Sequence, residues 1–291
     1  MTFGLFVDQI INGVVLGSMY SLYASGLTLI WGTMKLMNFA HGEYYMLGGY
    51  FVYFGVTLLG APPVLSILIT IGATFLIGLV TERLIIQPLL DKPTWETSSL
   101  VVTVGLSIFL QNFALKVWGE RLKGIPYFIG GTLEIFGVRV AYHRLLILAV
   151  AILVLSLLLV LIKKTRFGMA LRATAQEKNA AIMLGINFYR IYMVTFAASG
   201  AMAAVAATML APIFLISPWS GISCILKAFV VAVLGGLGSV EGAILGGIVL
   251  GIAENLSVII FSSEWKDVVS FGILILVLTF RPSGFFGQKE W

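Results

Sequence analysis

NFAHGEYYMLGGY, Asn38 to Tyr50, places an amide, an imidazole and a carboxylate (Asn38, His41 and Glu43) at the joint between two long apolar stretches. Such groups at membrane depth cost energy unless they face protein or a water-filled path. The joint is therefore a functional-site candidate, and the apolar residues on both sides of it set the class. Working outward, runs able to cross a hydrocarbon core, which takes about 20 residues per helix, fall at 6–31, 40–60, 64–86, 98–118, 144–162, 191–214 and 242–262. A further run, 267–280, is short for a span, and a shorter apolar piece, 228–237, precedes the seventh. The expectation is an all-α integral membrane protein of about eight transmembrane helices plus one re-entrant or broken half-helix, in a single transmembrane domain over residues 1–291.

Composition agrees. Hydrophobic residues make up 59% and charged residues 11%, against roughly 25% charged in soluble domains, and the mean hydropathy is +1.04. The net charge of +5 is spread over loops, which speaks for anionic lipid contact and topology and against nucleic acid. Cys224 is the only cysteine, so an intramolecular disulfide and a multi-thiolate metal site are excluded. His41 and His143 are the only histidines, and no metal site is expected. No Gly-x-x-x-x-Gly-Lys-Ser/Thr phosphate loop and no recognisable nucleophile and base constellation occur, so no catalytic residue is assigned and any ATP is handled elsewhere.

Charge also orients the chain. Lys163, Lys164, Arg166, Arg172, Lys178 and Arg190 face a single acid, Glu177, between positions 163 and 190, and the positive-inside rule makes that segment cytoplasmic. The loop 119–143, with Arg121, Lys123 and Arg139, then lies on the opposite side. Counting back puts the N-terminus outside and Lys35, Arg83 and Lys92 at inner joints; no Lys or Arg precedes Lys35, so the first run reads as a retained span. Arg281 and Lys289 argue for a cytoplasmic tail, which requires residues 215–239 to add a crossing.

Residues 165–187 are too long and too regular for a plain connector. Ala173, Glu177, Ala180 and Leu184 recur at helical spacing on one face, and Gly185 sits where a left-handed C-cap ends a helix. Spacing alone fits a basic amphipathic helix on the membrane surface as well as one docked on a partner.

Three elements of this loop, Thr165-Arg166-Phe167-Gly168, Leu171-Arg172-Ala173 and Leu184-Gly185-Ile186-Asn187, together with Asn38 to Gly42 and the apolar helices around it, resemble the membrane subunit of bacterial high-affinity branched-chain amino acid ABC importers, the LivH type. The resemblance covers nearly the whole chain. It implies ABC importer permease architecture in the bacterial inner membrane, a second homologous permease subunit, two cytoplasmic ATPase subunits that use ATP and Mg, and a periplasmic binding protein delivering leucine, isoleucine or valine. No cofactor is bound directly. It also implies a coupling loop at about 163–190, with Arg166, Gly168, Arg172, Ala173, Glu177, Ala180 and Gly185 as ATPase contacts. Met169 departs from the basic residue that family members often carry after the glycine. Broad homology does not separate branched-chain amino acids from urea, short amides or a wider set of neutral amino acids. An ion-coupled secondary transporter is the reading from another class, with Asp8, Glu43, Glu241 and Glu254 as candidate ion ligands, but it gives the 165–187 loop no task.

For the translocation path the candidates are Asn38, His41, Glu43, Glu241, Glu254 and Asn255. Leu234 to Gly247, LGGLGSVEGAILGG, packs four glycines ahead of Ala243, so a continuous helix is not expected. Its Glu241-Gly242 followed by Leu245-Gly246-Gly247 echoes Gly42-Glu43 followed by Leu47-Gly48-Gly49, as in transporters whose broken helices surround the substrate. Glu254 and Asn255, past the middle of an apolar run, fit a structural role as well as a substrate contact. Gly13, Gly17, Ser21 and Ser25, and Gly242, Gly246, Gly247 and Gly251, form small-residue stripes suited to close helix packing, or to sliding between states.

Overall fold

The computed structural model describes residues 3–135 and 137–287, so Lys289 lies outside the described residues. Among these described residues, six helices are long and apolar enough to cross a membrane. They are α1 (Phe3–Met34), α3 (Pro63–Thr81, prolonged by turns to Leu89), α4 (Trp95–Trp118), α5 (Tyr142–Lys164), α8 (Phe188–Leu210) and α10 (Val240–Ile260). Three shorter apolar helices complete the membrane part. The run 40–60 folds as α2 (His41–Tyr53) plus one π turn, Phe54–Leu58, and the last run as the 15-residue α11 (Lys266–Phe280). The apolar piece expected as a half-helix is α9 (Ser220–Gly235), 16 residues long. It begins earlier than the apolar piece 228–237 suggests because Lys227 interrupts the hydrophobic run without interrupting the helix.

Outside the bilayer the chain adds α6 (Arg166–Gln176), α7 (Lys178–Met183) and one antiparallel hairpin, β1 (Thr132–Ile135) with β2 (Val138–Ala141), paired from Thr132 with Ala141 to Ile135 with Val138. The hairpin is the departure from an all-α chain. It sits in the 119–143 loop, turned by Gly137 at φ +78°.

Contacts sort the helix ends into two groups. At the hairpin end, α1 begins against β2, Asp8 approaches Arg144 at 3.7 Å, and Lys123 pairs with Ile216 just beyond α8. At the basic end, Lys163 closing α5 pairs with Glu241 opening α10 at 2.8 Å. There too the Phe285 and Phe286 amides donate to the carbonyls of Leu234 and Gly235, each at 2.9 Å. The α9 helix therefore supplies the added crossing that the basic tail requires, and Arg281 lies at the same end as Lys163.

The two small-residue stripes pair with each other. A Cβ on Gly17 would stand 2.7 Å from the Gly247 carbonyl oxygen, and one on Gly13 would stand 2.7 Å from the Ile252 Cα. Ser21 Oγ donates across the same seam to the Ile244 carbonyl at 2.7 Å. Without a hydrophobic drive between helices in lipid, such close backbone approach is what holds α1 to α10. Helices α1 and α8 are the most buried spans, while α3, α4 and α5 keep wide apolar faces outward.

Candidate translocation site and coupling surface

After Met34 the chain turns at Lys35, a non-glycine residue at φ +54°, and folds back so that α2 starts inside the bundle. Asn38 shapes the return: its Oδ1 accepts from the Ala40 amide at 3.1 Å and its carbonyl from the His41 amide at 3.2 Å. His41 is fully buried between α1 and α8. As a neutral imidazole its Nε2–H donates to the Tyr23 carbonyl at 2.9 Å and its Nδ1 accepts from Ser199 Oγ at 3.1 Å. This ring braces the joint. Glu43 reaches the other way, its Oε1 accepting from Gln111 Nε2 at 2.7 Å and Ser107 Oγ at 2.9 Å on α4. Its Oε2 has no hydrogen-bond partner among the described residues and abuts Gly221, where a Cβ would stand 2.6 Å away. Asn38, His41 and Glu43 are thus brought together, at the crossing of α2 with α9.

The remaining path candidates lie elsewhere. Glu254 Oε1 accepts from Lys227 Nζ at 2.5 Å and from Ser270 Oγ, and its Oε2 accepts from Tyr20 Oη at 2.9 Å. Lys227 also holds Asp267 at 2.7 Å. Asn255 Nδ2 donates to the Gly251 carbonyl at 2.8 Å while its Oδ1 accepts from Lys266 Nζ at 3.3 Å. This network fastens α1, α9, α10 and α11 together. Glu241 is half-exposed at the basic end, paired with Lys163. It and Glu43 both occupy the first turn of a helix that follows a break, where a carboxylate meets the positive end of the helix dipole. That gives the echo between the two stretches a local cause.

A cavity of about 340 Å³ opens between α1, α2, α8 and α9. Met46, Ala207, Leu210 and Ile216 form its apolar wall; Tyr23, Tyr45, Ser220, Ser223 and Lys227 supply its polar edge. Its exposed apolar lining residues, Phe214, Leu215 and Trp219, belong to the segment tied to Lys123 at the hairpin end.

At the basic end, Thr165 caps α6, its Oγ1 accepting from the Gly168 amide at 3.0 Å. Gly168 is buried beneath the Leu161 and Ile162 carbonyls, which a Cβ would strike, and Arg172 donates to the Ile162 carbonyl. Residues 173–184 do not form the one helical face that their spacing suggests. Glu177 leaves the helix at φ −152°, ψ 103° and caps α7 by accepting from the Asn179 amide at 3.2 Å, so two short helices form an elbow. Gly185 ends α7 at φ +80°, with the Ile186 amide donating to the Ala181 carbonyl at 3.0 Å. Of the expected contact residues, Arg166, Arg172, Glu177, Ala180 and Gly185 are exposed, Ala173 is half-buried and Gly168 faces inward. The elbow's tip carries Met183, 88% exposed, and Leu184, 79% exposed.

Comparison with known proteins decides the family. The profile described as "Branched-chain amino acid transport system / permease component" matches residues 9–278. The chain belongs to this permease family. The high-affinity branched-chain amino acid transport system permease protein BraD of Pseudomonas aeruginosa is 38% identical over 98% of this chain and 97% of its own. LivH of Escherichia coli K12, a permease protein of the same description, is 38% identical over 98% of this chain and 96% of its own. Among solved structures, PsaBC from Streptococcus pneumoniae in complex with Fab matches at TM-score 0.53 with 14% identity, covering 96% of this chain and 92% of that one. That likeness shows the fold alone. The chain is accordingly a multi-pass membrane permease component of a transport system.

Lys227 is the residue that reading the permease sequence passes over. A lone lysine inside an apolar run is the signal, since an ammonium there needs a buried partner. Ser107, Gln111 and Ser199 are invisible without the fold, because each acts only through a distant helix.

Proposed function

We propose that this permease is one membrane half of an ATP-driven importer of branched-chain amino acids in a bacterial inner membrane. It works with a second homologous permease, a periplasmic binding protein and two cytoplasmic ATPase subunits that use the ATP and Mg. Family membership supports the transport class, and the names of BraD and LivH support the substrate. The observation that carries the coupling role is the α6–α7 elbow. A membrane-surface helix would turn its apolar side to the bilayer in one stripe. Here Met183 and Leu184 project at the tip of a capped elbow that also exposes Ala180, Glu177 and Arg172. An apolar tip with a polar surround is the composition of a small protein–protein contact.

The test is uptake of labelled leucine, isoleucine and valine by the reconstituted complex, with Leu184→Arg as the diagnostic variant. Leu184 is too exposed for the change to disturb folding, so the variant should insert normally, lose at least tenfold in uptake and lose stimulation of ATP hydrolysis. Uptake and stimulation at the unmodified level would remove the elbow from coupling. A complex that carries urea or short amides and no branched-chain amino acid would overturn the substrate.

A further inference from the structure

We propose that the cavity between α1, α2, α8 and α9 holds the zwitterionic amino acid in transit, with its carboxylate on the Lys227 ammonium in exchange for Asp267. The inference rests on the importer reading above and gives that reading a place in the chain.

Size and chemistry point the same way. At about 340 Å³ the cavity falls at the lower end of the roughly 300–1,000 Å³ of small-molecule clefts. Its wall of Met46, Ala207, Leu210 and Ile216 offers an aliphatic side chain the burial it lacks in water. A urea or sugar would leave its hydrogen-bonding groups unmet against that wall, which is unfavourable. At the polar edge, Tyr20, Tyr23 and Tyr45 form one ring cluster, with centroids 5.8 and 6.2 Å apart in sequence. The Tyr23 and Tyr45 hydroxyls have no hydrogen-bond partner among the described residues. Free hydroxyls and aromatic faces beside a cavity suit an ammonium group.

Lys227 supplies the complement for a carboxylate. Its two acidic partners are unequal: the Glu254 side chain is 1% exposed, whereas that of Asp267 is 72% exposed. The buried bond is the costly one to break, and the exposed one is worth little. A solute carboxylate can therefore displace Asp267 while Glu254 stays in place. Because Tyr20 and Lys227 bind the two oxygens of the same Glu254 carboxylate, the ammonium and the tyrosine cluster meet at one edge of the cavity.

Occupancy can be read directly in the assembled complex. Ser223 is exposed on the cavity and Cys224, buried beside it, is the chain's only cysteine, so Ser223→Cys in a Cys224→Ser background gives one reporter thiol. Leucine should slow its alkylation by a maleimide at least threefold, and leucinamide, which lacks the carboxylate, should not. Asp267→Asn removes the competitor and should lower the leucine concentration needed for protection by up to about fivefold. In a separate variant, Ser223→Phe should cut leucine uptake at least tenfold while the binding protein still captures leucine. Leucine uptake by the unmodified complex, with no protection of the thiol and normal uptake by Ser223→Phe, overturns the cavity assignment alone. Equal protection by leucinamide overturns the role of Lys227. A complex that imports no branched-chain amino acid overturns the importer reading and this inference with it.

Discussion

Replacing Lys227 with methionine deletes the ammonium that holds Glu254 and leaves a carboxylate, 1% exposed, with only the Tyr20 and Ser270 hydroxyls as donors. Removing one partner of a buried pair destabilises by about 3–5 kcal/mol, whereas replacing both with apolar residues of similar volume is close to neutral. Asp267 contributes little to the loss, because an exposed pair is worth at most about 1 kcal/mol. At roughly 2–4 °C per kcal/mol for larger domains, Lys227→Met should melt about 10 °C below the unmodified permease. The double variant Lys227→Met with Glu254→Leu should recover most of that, forfeiting the Tyr20 hydrogen bond, worth about 0.6 kcal/mol between membrane helices. Melting is followed by tryptophan fluorescence in detergent, with size-exclusion retention as a second probe. Single and double variants that melt together, or a single variant within about 2 °C of the unmodified protein, would refute the assignment of Lys227 and Glu254 as a coupled buried pair.

Four further outcomes are expected. His41→Leu removes the bonds to Tyr23 and Ser199 without adding a buried charge, and should lower leucine uptake about tenfold in liposomes while basal ATP hydrolysis persists; unchanged uptake would make the ring dispensable. Gly17→Leu drives a side chain into the Gly247 and Ile248 backbone and should abolish the folded, monodisperse form, whereas Gly72→Leu, which has open space around it, should be silent; equal retention volumes would contradict the α1–α10 seam. In a Cys224→Ser background, a cysteine replacing Gln176 should be shielded from an impermeant thiol reagent outside intact cells and one replacing Gly130 labelled; the reverse pattern would invert the orientation. Gly168→Leu should abolish stimulated hydrolysis and uptake while Glu241→Gln changes both less than twofold, and the opposite order would exchange the roles of packing and charge at the basic end.

Much of the architecture is legible because its cause is local. Four-residue spacing of small side chains survives folding as the α1–α10 seam, and the glycines at 235–238 break the chain where Gly236 and Gly238 adopt φ +99° and +90°. What escapes the sequence is set by partners far along the chain. Lys227 truncates the visible apolar run of α9, and the arrival of Glu254 from α10 with Ser270 and Asp267 from α11 makes its position tenable. Glu241 reads as an intramembrane acid for the mirror-image reason: its hydropathic surroundings are those of a span, but it stands at the helix's first turn with Lys163 beside it. The elbow at Glu177 is hidden because a helical period continues through it. One capping bond to the Asn179 amide outweighs that period, in a segment whose α7 has only six residues and little helical stability of its own.

Two contacts at the basic end, an ion pair beside the elbow and the packing of α6 on α5, differ enough in strength to decide which can carry a displacement. The Lys163–Glu241 pair bridges α5 to α10, but both side chains are about half in solvent, at 56% and 47% exposure, so it is worth at most about 1 kcal/mol and yields under load. Gly168 beneath the Ile162 carbonyl, with Arg172 on that same carbonyl and the Thr165 cap between, fixes α6 to the last turn of α5 by close packing, which resists compression far more steeply. A displacement of α6 therefore moves α5 with it. The α5 helix in turn packs along α1, and α1 carries Gly13 and Gly17 against α10 and Tyr20 against Glu254. A packed route from α6 to the Lys227 edge of the cavity accordingly runs through α5 and α1, beside the direct contacts of α6 with α1 and α8, and not through the ion pair.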